Sequence, residues 1–370
     1  MVGLYRRIKQ TGRLLFAILL LTLPVTAAYG QTEADLSVPA EYIRDLTLPG
    51  ANNHLLRPAR IAVDRAHQEI YVADVGNGRV LIFDDRGTLR FQFSTVAQCG
   101  SPIDLAVGPQ GQIFVLGTVS DGRQVFVYDY DGLFLREINI GDSAAATKSD
   151  IAGIAVDDAN LVYALDQAGL RIICLQDDGT FVRQFPILAD LDSTQRTELV
   201  FGSPTIVGDR LFLPVSSRGT VYRYTLEGEP SGTIGHGGTG IGELNFPVAA
   251  AVADNGLIMV LDKHRFNVEC FSPAGKFLGE FGGKGISPGW FFHPTWLAVD
   301  GRDQVYVGQI FENKIQLCRI PAFIQRRLAE EAAGRTPAGT PPAGSLTGIA
   351  TDRAAISQTA KTNNGDKSQE

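Results

Sequence analysis

The chain has 370 residues, of which 44% are hydrophobic and 20% are charged, and its formal net charge at pH 7 is −7. An acidic chain is repelled by polyanions, so this charge argues against a nucleic-acid-binding protein, which needs a basic face to neutralise phosphates. The length allows one large β domain or two ordinary domains.

The first 30 residues have the pattern of a secretory signal peptide. Four basic residues between positions 6 and 13 precede an apolar run from Leu14 to Leu23, and small residues follow at positions 26–30. The run is about half of the roughly 20 residues that a membrane-spanning helix needs. We therefore expect an exported, periplasmic or extracellular protein without a transmembrane span in the mature chain. An uncleaved signal anchor is the alternative.

Removal of this segment takes away four basic groups and no acidic ones, so the formal charge of the mature chain would become −11 instead of −7. The larger negative charge strengthens the argument against a nucleic-acid partner.

The four cysteines are Cys99, Cys174, Cys270 and Cys318, and their spacing matches no zinc-binding pattern. The last three fall inside apolar runs that read as strands, where a buried thiol behaves as a small hydrophobe. We therefore expect free buried thiols rather than a disulfide framework.

A pattern of roughly 40 to 50 residues repeats along the chain. Its first copy begins at Pro58-Ala-Arg-Ile-Ala-Val-Asp64, continues with the apolar runs Ile70–Asp74 and Arg79–Phe83, and ends with Thr88–Phe93. Later copies begin near positions 102, 154, 204, 247 and 294, and the fourth of the six is degenerate. Six copies of four short strands each predict an all-β fold, a six-bladed β-propeller with four-stranded antiparallel blades.

The sixth copy ends after three strands, near Ile320, and an unpaired sheet edge would promote aggregation. The segment Tyr42–Leu48 parallels the fourth strands Phe134–Ile140 and Phe181–Ile187 position by position. We therefore predict that the N-terminal strand completes the last blade and closes the ring. The expected domains are a signal peptide over 1–30, a linker over 31–40 and the propeller over 41–320.

Residues 321–370 are rich in Pro, Ala, Gly and Thr and nearly lack large apolar residues. This composition predicts a disordered tail. Phe323–Ala333 could form one short helix, but nothing after it would pack on that helix.

The segment from Pro58 to Val80 closely resembles the NHL repeat, and the Gly-rich segment from Phe281 to Pro294 resembles the joint between NHL blades. The resemblance implies a six-bladed propeller but not one activity. Proteins of this type include protein binders, RNA readers, sensors and a zinc-dependent amidating lyase. The acidic charge disfavours an RNA reader.

The lyase relatives hold zinc with histidines from several blades around the central channel, an arrangement that needs three protein ligands. His293 lies at the start of a blade in this chain. Its counterparts in other copies, Arg57, Ser101, Ser203 and Phe246, cannot complete such a site.

Arg60, Asp104 and Trp296 are candidate binding residues because they share one offset in their blades, near the predicted channel. An exposed tryptophan beside an arginine would form a binding hot spot, and a tryptophan packed between blades is the alternative.

Three further candidates lie in loops. His264 and Arg265 follow the second strand of the fifth copy, and His293 precedes Pro294. Loops on a rigid scaffold concentrate binding residues, although plain solvated surface is the alternative.

Six aspartates recur with the repeat, and residues of this kind more often end strands and bond backbone than catalyse. They are Asp64, Asp74, Asp157, Asp166, Asp262 and Asp300.

These patterns favour a non-catalytic exported propeller that binds a protein, a peptide or a cell-envelope ligand through the loop face around the channel. No catalytic residue, metal ligand or cofactor is predicted. The alternative is a metal-dependent propeller enzyme of the lyase or lactonase type, with calcium or zinc at the channel mouth. A mouth of Arg, Trp and small residues would favour the binder, and converging Asp, Glu, Asn or His would favour the enzyme.

Overall fold

The structure, a computed structural model, describes residues 38–334 except 121, 141–148, 193 and 197. The expected signal peptide, most of the linker and residues 335–370 of the expected tail lie outside the described residues. No helix in the described ranges is long and apolar enough to cross a membrane.

The described strands form six four-stranded antiparallel sheets, which are the blades of a six-bladed β-propeller and confirm the predicted fold class. The first strand of the chain, β1 (Glu41–Asp45), belongs to the last sheet. Blades one and two comprise β2 (Pro58–Asp64), β3 (Glu69–Asp74), β4 (Arg79–Asp84) and β5 (Leu89–Ser94), then β6 (Asp104–Val107), β7 (Ile113–Val119), β8 (Gly122–Tyr128) and β9 (Phe134–Ile138).

The remaining blades follow in the same order along the chain. Blades three and four comprise β10 (Ile151–Val156), β11 (Val162–Asp166), β12 (Arg171–Leu175) and β13 (Phe181–Pro186), then β14 (Thr205–Val207), β15 (Arg210–Val215), β16 (Thr220–Thr225) and β17 (Pro230–Ile234). Blades five and six comprise β18 (Pro247–Val252), β19 (Ile258–Asp262), β20 (Asn267–Phe271) and β21 (Phe277–Gly282), then β22 (Pro294–Val299), β23 (Gln304–Gln309) and β24 (Lys314–Arg319), with β1.

β1 is the outer strand of blade six. In its antiparallel pairing with β24, Tyr42 lies opposite Cys318 and Asp45 lies opposite Gln316. Just beyond the strand, the backbone N–H of Leu46 donates to the carbonyl oxygen of Ile315 at 2.9 Å, and the Leu46 side chain is buried. One sheet therefore joins residues near the two ends of the repeat region.

The sequence of each strand reflects its depth in the blade. The middle strands, such as β3 and β4, are buried along nearly their whole length because neighbouring blades cover both faces. Every residue of the outer strand β5 is half-buried or exposed. Turns between the third and fourth strands use glycines with positive φ, including Gly87 at 73° and Gly179 at 92°, which a tight hairpin requires.

The hydrophobic core lies between adjacent blades. Tyr71 and Ile82 of blade one pack with Leu105 and Phe126 of blade two in one cluster, and similar clusters join the other neighbouring pairs. The largest cluster spans blades five, six and one and includes Trp296. Each fully buried side chain of this size contributes roughly 1.5–3 kcal/mol, so the ring is held together by its inter-blade contacts.

The recurring aspartates stabilise turns, as predicted. At the end of the first strands, Asp157 accepts hydrogen bonds from the backbone N–H groups of Ala159 and Leu161 at 2.9 and 2.8 Å. At the end of the second strands, Asp74 accepts from the N–H of Leu56 at 2.7 Å and pairs with Arg79 at 2.7 Å. These carboxylates stabilise the turns by accepting hydrogen bonds from the backbone.

Within the part of the chain that the structure describes, two α-helices accompany the sheets, α1 (Val96–Cys99) and α2 (Ala322–Ala332). α2 packs against β21, and its side chains Ile324 and Leu328, one turn apart, are buried. The first residues of the expected disordered tail are therefore helical, because an apolar pair on one helix face finds a sheet edge to cover.

The four cysteines are free and buried, as predicted. Burial raises the pKa of the Cys318 thiol to about 12, so this sulfur stays protonated and unreactive in the folded protein.

Candidate functional site

The antiparallel blades give the disc two different faces. One face, which we call the upper face, is where the first strand of each blade begins. The turns between second and third strands also lie there. The lower face carries the turns between first and second and between third and fourth strands. The first strands of all six blades line the central channel between these faces.

Three candidate residues from the sequence meet in the channel. The Nε atom of Arg60 lies 3.2 Å from Oδ1 of Asp104, in the next blade. Its Nη2 donates to the carbonyl oxygen of Pro204 at 3.4 Å, and its guanidinium carbon lies 3.8 Å from the ring centroid of Trp296. Arg60 therefore contacts residues at the start of blades two, four and six and crosses the channel. We call Arg60, Asp104 and Trp296 the channel cluster.

Burial dominates the electrostatics of the channel cluster. Burial lowers the pKa of the Arg60 guanidinium, while the charge of Asp104 opposes this shift. Burial likewise raises the pKa of the Asp104 carboxyl, and Arg60 together with the N–H groups of Ile154 and Leu105 opposes that rise. Each charge therefore offsets much of the desolvation cost of the other, because both side chains are buried.

Of the two alternatives for Trp296, the structure shows the tryptophan packed between blades and not the exposed one. Its relative exposure is 4%. Its indole Nε1 donates to the carbonyl oxygen of Ile61 at 2.6 Å, and its ring face covers the Arg60 guanidinium. A buried indole needs a partner for its N–H, and the first strand of blade one supplies it.

Next to the channel cluster lies a cavity of about 470 Å³, which we call the channel cavity. Small apolar residues such as Ala106, Ala155 and Ala250 line its walls, and Arg60 and Trp296 also line it. Its rim at the lower face includes the exposed residues Arg65 and Asp158.

The upper face carries aromatic side chains at blades five and six. Phe266 stacks on Phe292 with ring centroids 6.1 Å apart, and the His293 ring meets Phe292 edge-on at 4.4 Å. Phe311 adds an edge contact to His293 at 4.9 Å and is 64% exposed. We define the aromatic patch as Phe246, His264, Phe266, Phe292, His293 and Phe311.

The aromatic patch follows the repeat. Phe246 and His293 each precede the first proline of their blades, and His264 and Phe311 each occupy the second position after the second strand. Phe246 stacks on His264 at 4.4 Å in blade five, as His293 contacts Phe311 at 4.9 Å in blade six. The same two positions therefore hold a phenylalanine and histidine pair in both blades, in exchanged order.

Two members of the patch have unusual backbone conformations. Phe266 has φ 61° and His293 has φ 47°. The residue equivalent to Phe266 is Gly78 in blade one and Gly219 in blade four, both with positive φ. The same position also has positive φ in blades three and six, at Leu170 (47°) and Asn313 (51°), so this turn of the repeat imposes the conformation. A bulky residue there carries a steric cost that glycine avoids.

The two candidates that follow the second strand of blade five, His264 and Arg265, have different surroundings in the structure. His264 is exposed and belongs to the aromatic patch. Arg265 is not free for a ligand, because its Nε lies 2.9 Å from Glu269 and its Nη2 lies 2.9 Å from Glu280. It also donates to the carbonyl oxygens of Thr239 and Gly240. Arg265 thus ties the joint before blade five to that blade.

Sequence reasoning singled out two residues of the patch, His264 and His293, and missed its four phenylalanines. The signal that identifies them is the recurrence of aromatic residues at repeat-equivalent loop positions of adjacent blades. In the described ranges, no group of three or more His, Cys, Asp or Glu residues is placed to hold a metal ion.

Comparisons with known proteins agree with this architecture. A family model described as the NHL repeat matches residues 55–83, which contain most of the first three strands of blade one. The protein is therefore a six-bladed β-propeller that carries an NHL repeat.

Among curated proteins, the chain is similar to Protein brain tumor of Drosophila melanogaster, with 27% identity over 135 residues. That match covers 35% of this chain and 12% of the fly protein, so the chain spans a small part of that relative.

Two solved structures show the same fold. The streptogramin B lyase structure has a TM-score of 0.51 and 14% identity, covering 76% of this chain and 88% of the other. A Bacteroides thetaiotaomicron protein of unknown function has a TM-score of 0.55 and 14% identity, covering 76% and 74%. At these identities the likeness concerns the fold alone.

Proposed function

We propose that this propeller is an exported, non-catalytic binding scaffold that holds a protein or peptide partner on its upper face, at the aromatic patch. NHL propellers commonly act as protein-binding scaffolds, which is the coarse function that the repeat supports. The observation that carries the finer proposal is the aromatic patch itself, in which two adjacent blades present matching aromatic pairs.

Physical chemistry favours such a surface for binding. Aromatic side chains dominate the energetics of protein interfaces because they bury a large area with few rotatable bonds. Phe311 leaves 64% of its surface in water, and Ile286 in the neighbouring joint also leaves 64%. An exposed phenylalanine costs free energy in the unbound protein, and a partner that covers Phe311 would recover this cost by removing the ring from water.

The charges around the patch indicate the chemistry of the partner. The exposed Lys284 places its Nζ 5.5 Å from the ring centroid of Phe266, and the exposed Arg57 lies on the same face. A partner that offers an apolar side chain next to a carboxylate would match this arrangement.

Site-specific photo-crosslinking in the native host tests the proposal. A photoreactive residue at position 311 should trap one partner, whereas the same residue at position 130 should not. Tyr130 is a matched control because it is 67% exposed but lies in a lower-face turn. Equal crosslinking at both positions would contradict an upper-face site.

Binding of the purified partner should then weaken at least tenfold in Phe311→Ala and in Phe266→Gly, and remain unchanged in Tyr130→Ala. Phe266→Gly is informative because glycine relieves the positive φ at this position, so lost binding cannot be ascribed to a strained fold. Wild-type affinity in both variants would overturn the proposal.

Export rests on the pattern of the first 30 residues. The mature protein, purified from the host, is expected to start near residue 31 and to fractionate with periplasmic or secreted proteins. A cytoplasmic protein that retains its first residues would contradict this part of the proposal.

A further inference from the structure

The channel cavity borders on a buried cation with too few acceptors. Arg60 is 5% exposed and lines the cavity. Among the described residues its Nη1 atom has no hydrogen-bond partner, and its Nε has the ion-pair contact with Asp104 without hydrogen-bond geometry. An unpaired donor on a desolvated charged group is costly, so this site is suited to an additional acceptor.

Asp104 satisfies Arg60 only in part, because the carboxylate is shared among several donors. Its Oδ1 accepts from the backbone N–H of Leu105 at 2.9 Å, and its Oδ2 accepts from that of Ile154 at 2.9 Å. The Ser203 side chain also hydrogen-bonds to it. The Asp104 carboxylate therefore has several hydrogen-bond donors, whereas the Arg60 guanidinium has too few acceptors. A carboxylate oxygen is the acceptor that guanidinium groups bind most strongly.

The dimensions of the cavity restrict the ligand to a short chain. Its volume is about 470 Å³ and its walls are small apolar side chains, as in pockets for small molecules. From Arg60 to Asp64 the first strand advances four residues, which is about 13 Å at the usual rise of a β-strand. A molecule reaching from Arg60 to the rim is therefore about as long as three to four extended residues.

The rim is acidic. Asp64, Asp157 and Asp158 border the cavity, together with Arg65, which is itself paired with Asp254. Asp64 lies 2.7 Å from the Nδ1 atom of His67. The remaining negative charge disfavours dianions such as phosphate and favours an ammonium group at the mouth.

We propose that the channel cavity binds a short peptide by its C-terminal carboxylate, which pairs with Arg60, while its N-terminal ammonium lies at the acidic rim. The peptide enters from the lower face. The site is therefore separate from the aromatic patch, and either proposal can fail without the other.

Calorimetric titration of the purified full chain with tetra-alanine tests the proposal. Tetra-alanine should bind, its C-terminal amide should bind at least tenfold more weakly, and its N-acetyl form should also bind more weakly at low salt. Equal binding of the acid and the amide, or no binding of the acid at about 10 mM, would overturn the carboxylate assignment. If the N-acetyl form binds as tightly as tetra-alanine, the acidic rim does not hold the N-terminal ammonium group.

Two variants locate the site. Arg60→Met should abolish the preference for the acid over the amide. Ala62→Leu, which fills part of the cavity and leaves the guanidinium in place, should weaken binding at least tenfold, and Ala51→Leu on an exposed upper loop should not. If Arg60→Met fails to fold, Ala62→Leu still tests whether the peptide binds in the channel cavity, and the comparison of acid with amide still tests whether its carboxylate is recognised. Wild-type binding by Ala62→Leu would place the peptide elsewhere and overturn the proposal.

Discussion

Glu269 illustrates how a single residue departs from its repeat. It is the third residue of β20, as Gln316 is the third residue of β24. The amide of Gln316 accepts from the N–H of Gly289 at 2.9 Å and donates to the carbonyl oxygen of Trp290 at 2.8 Å, both in the joint before blade six. Blade five has a fully buried carboxyl group at this position.

Burial raises the pKa of Glu269 to about 8 from an ordinary value of 4.5, and nearby Glu280 adds to the rise while Arg265 opposes it. The folded protein therefore binds a proton between about pH 4.5 and pH 8 that the unfolded chain has released. The stabilisation is complete below pH 4.5 and is lost as the pH rises through about 8.

We predict that Glu269→Gln removes much of this pH dependence. The free energy of unfolding of the wild type should fall from pH 5 to pH 9, and that of the variant should change less, because its neutral amide does not titrate. Urea denaturation at pH 5, 7 and 9 measures both. Identical slopes for the two proteins would show that Glu269 is not the titrating group.

At the scale of elements, the outer edges of blades five and six are covered in different ways. β1 is far in sequence from β24 but covers the edge that β24 would otherwise expose. Blade five has a second layer, because α2 packs on its outer strand β21 at Gly279. A Cβ atom at Gly279 would lie only 2.6 Å from Cδ1 of Ile324, so the glycine permits the close approach of the helix.

Deletion of residues 41–48 should destabilise the whole propeller and promote aggregation, because it removes a hydrogen-bonded strand and the buried Leu46. Thermal unfolding and light scattering measure the two effects. A synthetic peptide of residues 38–49, added in trans, should partly restore stability. A truncated protein with the same melting temperature as the full chain would contradict the prediction that this strand closes the ring.

Ile324→Ala should loosen α2 at a cost of roughly 2 kcal/mol, because it removes a fully buried side chain from the contact with β21. Hydrogen exchange of the amides in 322–332 should become faster in this variant. Arg326→Ala, an exposed position on the same helix, is the control and should leave the exchange unchanged. Unchanged exchange in Ile324→Ala would mean that the helix is held by its polar contacts instead.

At the scale of the whole molecule, the inter-blade clusters and the shared last sheet couple all six blades. The four buried thiols can be used as probes of this coupling, because they are distributed around the ring. Cys99 lies between blades one and two, and the others lie in blades three, five and six. A ring in which every blade packs on two neighbours has no free end from which to unfold.

We predict that none of the four thiols reacts with a thiol reagent in the native protein and that all of them become reactive with one rate constant during unfolding in denaturant. Mass spectrometry of labelled peptides at successive times resolves the individual sites. Labelling of Cys174 well before Cys270 and Cys318 would show that the blades unfold separately.

The sequence alone determined the six-bladed architecture, since the spacing of apolar runs and glycine-containing turns is a local property that repeats six times. It also identified the structural role of the recurring aspartates and the burial of the cysteines, because burial follows from a position within an apolar strand. The degenerate fourth copy was recovered from its spacing, although its first strand, β14, has only three residues.

The tertiary structure decided what depends on contacts between distant positions. Arg60 and Trp296 are 236 positions apart in sequence, and only the ring brings the guanidinium onto the indole, so burial of both could not be read from either local pattern. The pairing of His293 with Phe311 and the helical start of the tail likewise depend on which loop or sheet edge lies nearby. Periodicity specifies which elements form, whereas packing across the ring specifies which side chains are left for binding.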